Sequence, residues 1–244
     1  MDVKLNSNEH KVAFVMLAGG QSSRYRGNKL LSVHPNSKCP LIQHCLGEVI
    51  SARDEIALVG EPPITVVTGK WHDSVKNHLS LHASQFPVSI IYNASWEEGI
   101  ASSIRTGLKH VLNTSSSVTK RSESARPTHV LFTLGDLPSL NADDLTRLIN
   151  ASKAKPSNIV CSEWRADGET QSRLTVPAIF PETVFRELLA LKGDVGAKPV
   201  INKYLKLDAV TAVSIPNARS LLTFSTKSAS FDIKTPPSPV VICF

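Results

Sequence analysis

No run of about twenty apolar residues occurs in the chain, so no membrane-spanning helix is expected. The first residues, MDVKLNSNEHK, hold no apolar core, and a secretory leader is not expected there either. Cysteine is sparse: Cys39, Cys45, Cys161 and Cys243 form no C-x-x-C pair and have no histidine cluster beside them. That argues against disulfides and zinc and points to reduced thiols in a cytoplasmic protein. Aromatic residues make up only 6% of the chain and form no basic-aromatic stripe, which argues against a single-strand nucleic-acid binder. Neither nucleic acid nor membrane is therefore an expected partner. Two familiar glycine loops are also missing. The P-loop G-x-x-x-x-G-K-[ST] and the dinucleotide fingerprint G-x-G-x-x-G find no match, which removes the main support for a kinase or a dehydrogenase.

What is present alternates. Residues 12–17 form an almost unbroken apolar run, which reads as a buried strand. A helix opened by Pro40 follows, with Leu41, Ile42, Cys45, Leu46, Val49 and Ile50 on one face. Strands are expected at Ile64–Thr68 and Val88–Tyr92, with a helix from about Trp71 to Leu81 between them. A helical stripe runs from Gly99 to Leu112, and His129–Leu134 is a further strand, followed by a helix capped by Asn141. Such alternation predicts an α/β fold with a doubly wound, mostly parallel sheet. The second half is less regular, with strands expected at residues 159–161 and 176–180 and a helix over 182–191. Gly193-Asp194 is expected to end that helix and cap the next. No linker divides the chain, so one domain over 1–244 is expected. Its irregular parts are an exposed loop at 113–128, rich in Ser and Thr, and a tail at 236–244 broken by three prolines.

The stretch LAGGQSSRYRGNK, Leu17 to Lys29, leaves the first strand with two adjacent glycines and then supplies Arg24, Arg26 and Lys29. Gly19 and Gly20 let the backbone turn so that its N–H groups face an oxyanion, and the cations neutralise phosphate charge. A tight turn with solvated cations explains the glycines alone equally well. Asp136 follows the strand ending at Leu134. Its place at the carboxyl end of a strand, with the glycine turn on a neighbouring strand, reads as a functional carboxylate, or else as a cap or turn residue. Asn93 and Ser103 are candidate polar contacts, or a turn residue and a helix-surface hydroxyl. Thr68 and Gly69 are placed to line a base pocket, and Asp194 is a helix cap or a substrate contact.

Several segments, in order, resemble one family. LAGGQSSRYRGNK resembles the L-A-[AG]-G-x-S-x-R-x-G-x-x-K signature of the molybdenum cofactor nucleotidyltransferases, with the later glycine, Gly27, one place late. Val66–Gly69 is similar to the end of the family's second strand. Asn93–Ser103 is similar to N-x-x-[WF]-x-x-G-[MI]-x-x-S, and Leu134–Pro138 to L-G-D-x-P. Pro177–Phe180 and Gly193–Lys198 resemble P-x-x-F and G-D-x-G-A-[RK]. The last two resemble the molybdopterin cytidylyltransferase branch, whereas Gly19 is similar to the guanylyl branch.

The resemblance implies a Rossmann-like three-layer fold and a Mg²⁺-dependent transfer of a nucleoside monophosphate from an NTP, with CTP first, to molybdopterin. GTP, or a sugar or alcohol phosphate as acceptor, is the nearest alternative. A nucleotide-binding accessory protein without turnover is the alternative of another class. Catalytic roles are implied for Arg24, Lys29 and Asp136. Nucleotide contacts are implied for Leu17, Ala18, Gly19, Gly20, Lys29, Thr68, Gly69, Asn93, Ser103 and Asp136. Asp136 and Asp232 are the implied metal ligands, and a molybdoenzyme or its chaperone is the implied protein partner. Around Asp232 the chain departs from the branch: FDIKTPPS stands where D-[IV]-D-T-P-E-D is usual, with Lys234 replacing an acid.

Overall fold

The computed structural model describes residues 10–22, 25, 27–56, 64–116, 126–164 and 173–215. They build a seven-stranded sheet from β1 (Val12–Ala18), β2 (Ile64–Thr68), β3 (Ser89–Tyr92), β4 (His129–Leu134), β5 (Ile159–Trp164), β6 (Arg173–Pro181) and β7 (Val210–Ser214). The order is β3-β2-β1-β4-β6-β5-β7. β1, β2, β3 and β4 pair in parallel, and β5 pairs in parallel with β7. β6 alone among these strands runs antiparallel to both of its neighbours.

Alternate residues of β1 face opposite layers, as the period of two requires. Phe14 and Met16 join a core with Ile42, Leu46 and Val49 of α1 (Leu41–Glu55), Val75 and Leu79 of α2 (His72–Leu81), and Leu145 and Leu148 of α4 (Ala142–Ala154). Val15 and Leu17 join a second core with Ile104 and Leu108 of α3 (Ile100–Ser116), Leu188 of α5 (Phe185–Leu189) and Val200 of α6 (Lys198–Leu205). Helices therefore cover both faces, and the expected doubly wound, mostly parallel architecture stands.

The predicted caps are partly realised. Asn141 accepts a hydrogen bond from the Asp144 amide at 2.8 Å and starts α4. Pro40 stands one residue ahead of α1, and its carbonyl accepts from the His44 amide at 3.0 Å.

Four expectations need correction. Helix α3 continues to Ser116, four residues into the segment read as loop; 117–125 and the tail at 236–244 lie outside the described residues. The helix expected over 182–191 is a 3-10 turn (Glu182–Val184) followed by the five residues of α5. Asp194 does not cap the helix that follows it. Its Oδ1 accepts from the Ile100 amide at 3.2 Å, so it caps α3, while α6 begins after Ala197 with a proline in its first turn. The strand at β7 and the reversed direction of β6 were not expected. Pro177 sits where the β5–β6 register shifts, a place that asks no N–H of it, and its carbonyl accepts from Ser162 Oγ at 2.7 Å.

Two glycines inside helices show how closely the layers meet. A Cβ at Gly107 would lie 2.5 Å from Val15 Cγ1 and 3.0 Å from Val67 Cγ2, so α3 rests directly on β1 and β2. A Cβ at Gly47 in α1 would meet nothing within 4 Å. Alanine gains up to about 1 kcal/mol over glycine in a helix, whereas overpacking a core costs about 1–3 kcal/mol. Gly47→Ala is expected to raise stability and Gly107→Ala to lower it, read as opposite shifts of the urea midpoint. Equal shifts would refute the close packing of α3.

Four histidines are held neutral by the fold. Burial, with a neighbouring histidine, pushes His10 and His44 down to about 4, and burial also lowers His78 and His129. The unfolded chain takes up these protons first, near the ordinary value of 6.5. It then binds more protons than the folded chain, so stability is fully present above that value and falls as pH drops toward about 4. The urea midpoint is expected to decline already between about pH 6.5 and 5, above the carboxylate range. A flat midpoint there would show that these histidines protonate freely in the folded protein.

Candidate functional site

β1 is where the strand order turns back: β2 and β3 extend to one side, and β4 is added on the other. In open α/β sheets such a point leaves a crevice beyond the carboxyl ends of the strands. The register brings those ends level, with Leu17 opposite Leu134, Ala18 opposite Thr68, and Thr68 opposite Tyr92. Pairing continues past the strand ends, since the Gly135 amide donates to Leu17 O at 3.0 Å and the Asn93 amide to Thr68 O at 2.9 Å. Gly19-Gly20, Gly69, Asn93 and Gly135-Asp136 thus leave the sheet along one rim.

Lys29 and Asp136, 107 residues apart, meet on this rim. Lys29 Nζ donates to Asp136 Oδ2 at 3.1 Å, with the lysine side chain 6% exposed and the carboxylate 26% exposed. The lysine backbone is fixed by a 3-10 turn (Lys29–Leu31). Asn28 Oδ1 accepts from the Leu30 amide at 3.1 Å, and the Ser32 amide donates to Lys29 O at 3.0 Å. Leu30 and Leu137, the neighbours of the paired residues, are buried in the same core. Asn28 Nδ2 is a buried donor with no partner among the described residues.

The glycines act through close backbone approach. A Cβ at Gly69 would press into the Gly19 carbonyl oxygen and lie 2.7 Å from Trp96 Cβ. A Cβ at Gly19 would lie 2.7 Å from Ser103 Oγ. A side chain at position 19 would therefore have to displace the Ser103 hydroxyl. Gly20 is exposed and meets nothing within 4 Å, so the open side of the turn begins there.

Several expected contact residues are turned inward. Leu17 and Ala18 are buried in β1. Thr68 is fully buried; its hydroxyl donates to Ile91 O at 2.8 Å and lies 2.6 Å from His72 Nδ1. Asn93 is 3% exposed, and its Nδ2 donates to Ser102 Oγ at 2.7 Å and Ser103 Oγ at 3.1 Å. Its Oδ1 accepts from the Ser95 amide at 3.1 Å and Thr106 Oγ1 at 3.3 Å. Asn93 and Ser103 thus join the exit of β3 to the first turns of α3, directly behind Gly19. Arg24 and Asp232 lie outside the described residues.

Sequence reasoning missed two supports. Arg105 binds the Glu98 carboxylate through both guanidinium nitrogens and donates to Leu191 O, and this contact holds the Glu98 carboxyl below its ordinary range. The Gly193 carbonyl accepts from the Ala101 amide at 3.2 Å, beside the Asp194 cap, so the 191–194 loop closes the start of α3. The second support is His34. The Ser37 amide donates to its Nδ1 at 3.1 Å, so the ring proton sits on Nε2, which donates to Pro138 O at 2.6 Å. This holds the turn that carries Asp136. Neither support has a helical or strand period to mark it in sequence.

The rim suits a divalent cation with few protein ligands. Among the described residues no three His, Cys, Asp or Glu side chains are grouped to hold a metal. A partly exposed Asp136 matches magnesium-type binding, in which one or two carboxylates serve and substrate phosphates supply further oxygens.

Over 151 residues the chain is 29% identical to a probable molybdenum cofactor guanylyltransferase from Rhodopirellula baltica, a match covering 61% of this chain and 59% of that protein. Among solved structures, Rv0371c from Mycobacterium tuberculosis has a TM-score of 0.61 at 23% identity, covering 85% of this chain and 89% of its own. Its manganese complex superimposes with a TM-score of 0.55. A 4-diphosphocytidyl-2C-methyl-D-erythritol synthase from Anaerococcus prevotii has a TM-score of 0.59 at 14% identity, covering 90% of this chain and 92% of its own. At these identities the solved structures speak for the fold alone. The MobA-like NTP transferase domain family matches residues 14–209, which hold the sheet from Phe14 of β1 through β6 and every described site residue, and the chain belongs to that family.

Proposed function

We propose that the protein transfers a nucleoside monophosphate from an NTP to a phosphorylated small molecule, with molybdopterin as acceptor, and releases pyrophosphate. The observation that carries this reading is the Lys29–Asp136 pair at 3.1 Å, set at the switch point beside the Gly19-Gly20 turn. In this reading the pair offers one triphosphate a cation for its phosphates and a carboxylate for its metal.

An acceptor phosphate oxygen attacks the α-phosphorus, the bond to the β-phosphate oxygen breaks, and pyrophosphate leaves with the electron pair. The attacking phosphate is already ionised near neutral pH, so the chain needs to supply position and charge rather than a strong base. The amides at Gly19-Gly20 bind phosphate oxygens, and Lys29 and Arg24 offset charge on the leaving pyrophosphate. Asn93, Ser103 and Thr68 work from behind, by keeping the Gly19–Gly69 contact and the start of α3 in place. Asp136, with Asp232, would hold a magnesium ion, which when bound withdraws charge from the phosphate oxygens.

CTP is the first reading for the base, on the likeness of residues 177–180 and 193–198 to the cytidylyl branch. GTP is the second, and the guanylyltransferase relative favours it. A molybdoenzyme or its chaperone is the protein partner that fits either product.

Pyrophosphate release, measured with each NTP, Mg²⁺ and molybdopterin, tests the reading. Asp136→Ala is expected to remove metal-dependent turnover, by a factor of a hundred or more on the scale of lost transition-state charge stabilisation, while the fold persists. Full activity in folded Asp136→Ala would take the residue out of the mechanism. Tight NTP binding without pyrophosphate from any acceptor would make the chain a nucleotide-binding accessory protein instead.

A further inference from the structure

Lys29 and Asp136 have duties that cannot be met in the arrangement observed. Resting on the nucleotidyltransferase reading, one belongs to phosphate and the other to metal, yet each is engaged with the other at 3.1 Å. Lys29 is 5% exposed, and a buried ammonium needs a partner. We propose that Lys29 is a placeholder for the metal, so that metal and triphosphate enter as one complex and a single exchange of partners admits both.

The charges dictate the order. A divalent cation arriving alone at Asp136 meets a buried ammonium already on the carboxylate, and displaces it with no anion to receive it. A triphosphate arriving alone meets a lysine already neutralised, and drawing that lysine away would leave the Asp136 carboxylate uncompensated beside the phosphates. When the two arrive together, the ammonium passes to the phosphates and the carboxylate to the cation, and every charge keeps an opposite partner. The rest of the turn is built to stay still while this happens. The Lys29 carbonyl is held by the Ser32 amide and hydroxyl, and the Leu30 amide by Asn28. Only the flexible lysine stem needs to move. Asn28 Nδ2, buried and without a partner among the described residues, is a further donor on the residue before Lys29. The scarcity of protein ligands points the same way, because a site with one described carboxylate relies on phosphate oxygens to complete its shell.

The test is the affinity of Mn²⁺ for the full chain without nucleotide, read by electron paramagnetic resonance, beside the affinity of Mn²⁺–CTP and Mn²⁺–GTP. Lys29→Met keeps the buried stem and removes the charge; Lys29→Gln is the second variant should the first lose the fold. Either is expected to bind Mn²⁺ alone about tenfold more tightly than the natural chain, within the usual range of coupling between sites, and to bind Mn²⁺–NTP more weakly. Asp136→Asn placed in the Lys29→Met background should remove the gain. A merely structural lysine would weaken both kinds of binding. Unchanged or weaker Mn²⁺ binding in a folded Lys29 variant overturns the placeholder, while retained Mn²⁺–NTP binding by the natural chain leaves the proposed function standing. Failure of the natural chain to bind any Mn²⁺–NTP would sink the proposed function itself.

Discussion

β1 is hydrogen-bonded on both edges, to β2 and to β4, and all seven of its residues are buried. Its backbone groups have no water to turn to, so a slip in either register would leave several of them unpaired at a cost of about 1–3 kcal/mol each. That constraint makes three turns leave the sheet at one height. The contact of Gly19 with Gly69 and the meeting of Lys29 with Asp136 both depend on it. The site is thus a product of sheet register first and of side-chain identity second.

The start of α3 is a helix terminus whose leading amides are already occupied. A helix N-terminus offers free amides and the positive end of a dipole, which would suit phosphate. Here the Ile100 and Ala101 amides are taken by Asp194 and Gly193, so this terminus is satisfied from within. In the proposed reaction, phosphate binding would rest instead on the turn after β1 and on cationic side chains. Glu98 and Arg105 fasten the same loop from its flank.

Much of this was legible in sequence because it is local. Apolar runs of five to seven residues gave β1, β2 and β4, the period of 3.6 gave α1 and α3, and Asn141 announced α4. Asp136 and Lys29 were found as separate residues with separate tasks, and neither spacing nor motif revealed that they touch. The reversed β6 was hidden because strand direction leaves no mark on an apolar run such as Val176–Phe180. Thr68 and Asn93 were recognised by type and position, but polar side chains at strand ends do not declare whether they face the crevice or the interior. Here they bond inward. Asp194 was read as a cap, which it is, but for a helix that precedes it.

That cap has a consequence for biosynthesis. The carboxylate closing the first turn of α3 comes 94 residues after Ile100. During synthesis from the amino end, β1, β2 and β4 are complete long before Asp194 is made. The wall behind Gly19 therefore lacks its closing bond until the later part of the chain arrives. A nascent chain stalled short of this point would carry the Gly19-Gly20 turn beside an α3 whose first turn still lacks its Asp194 cap.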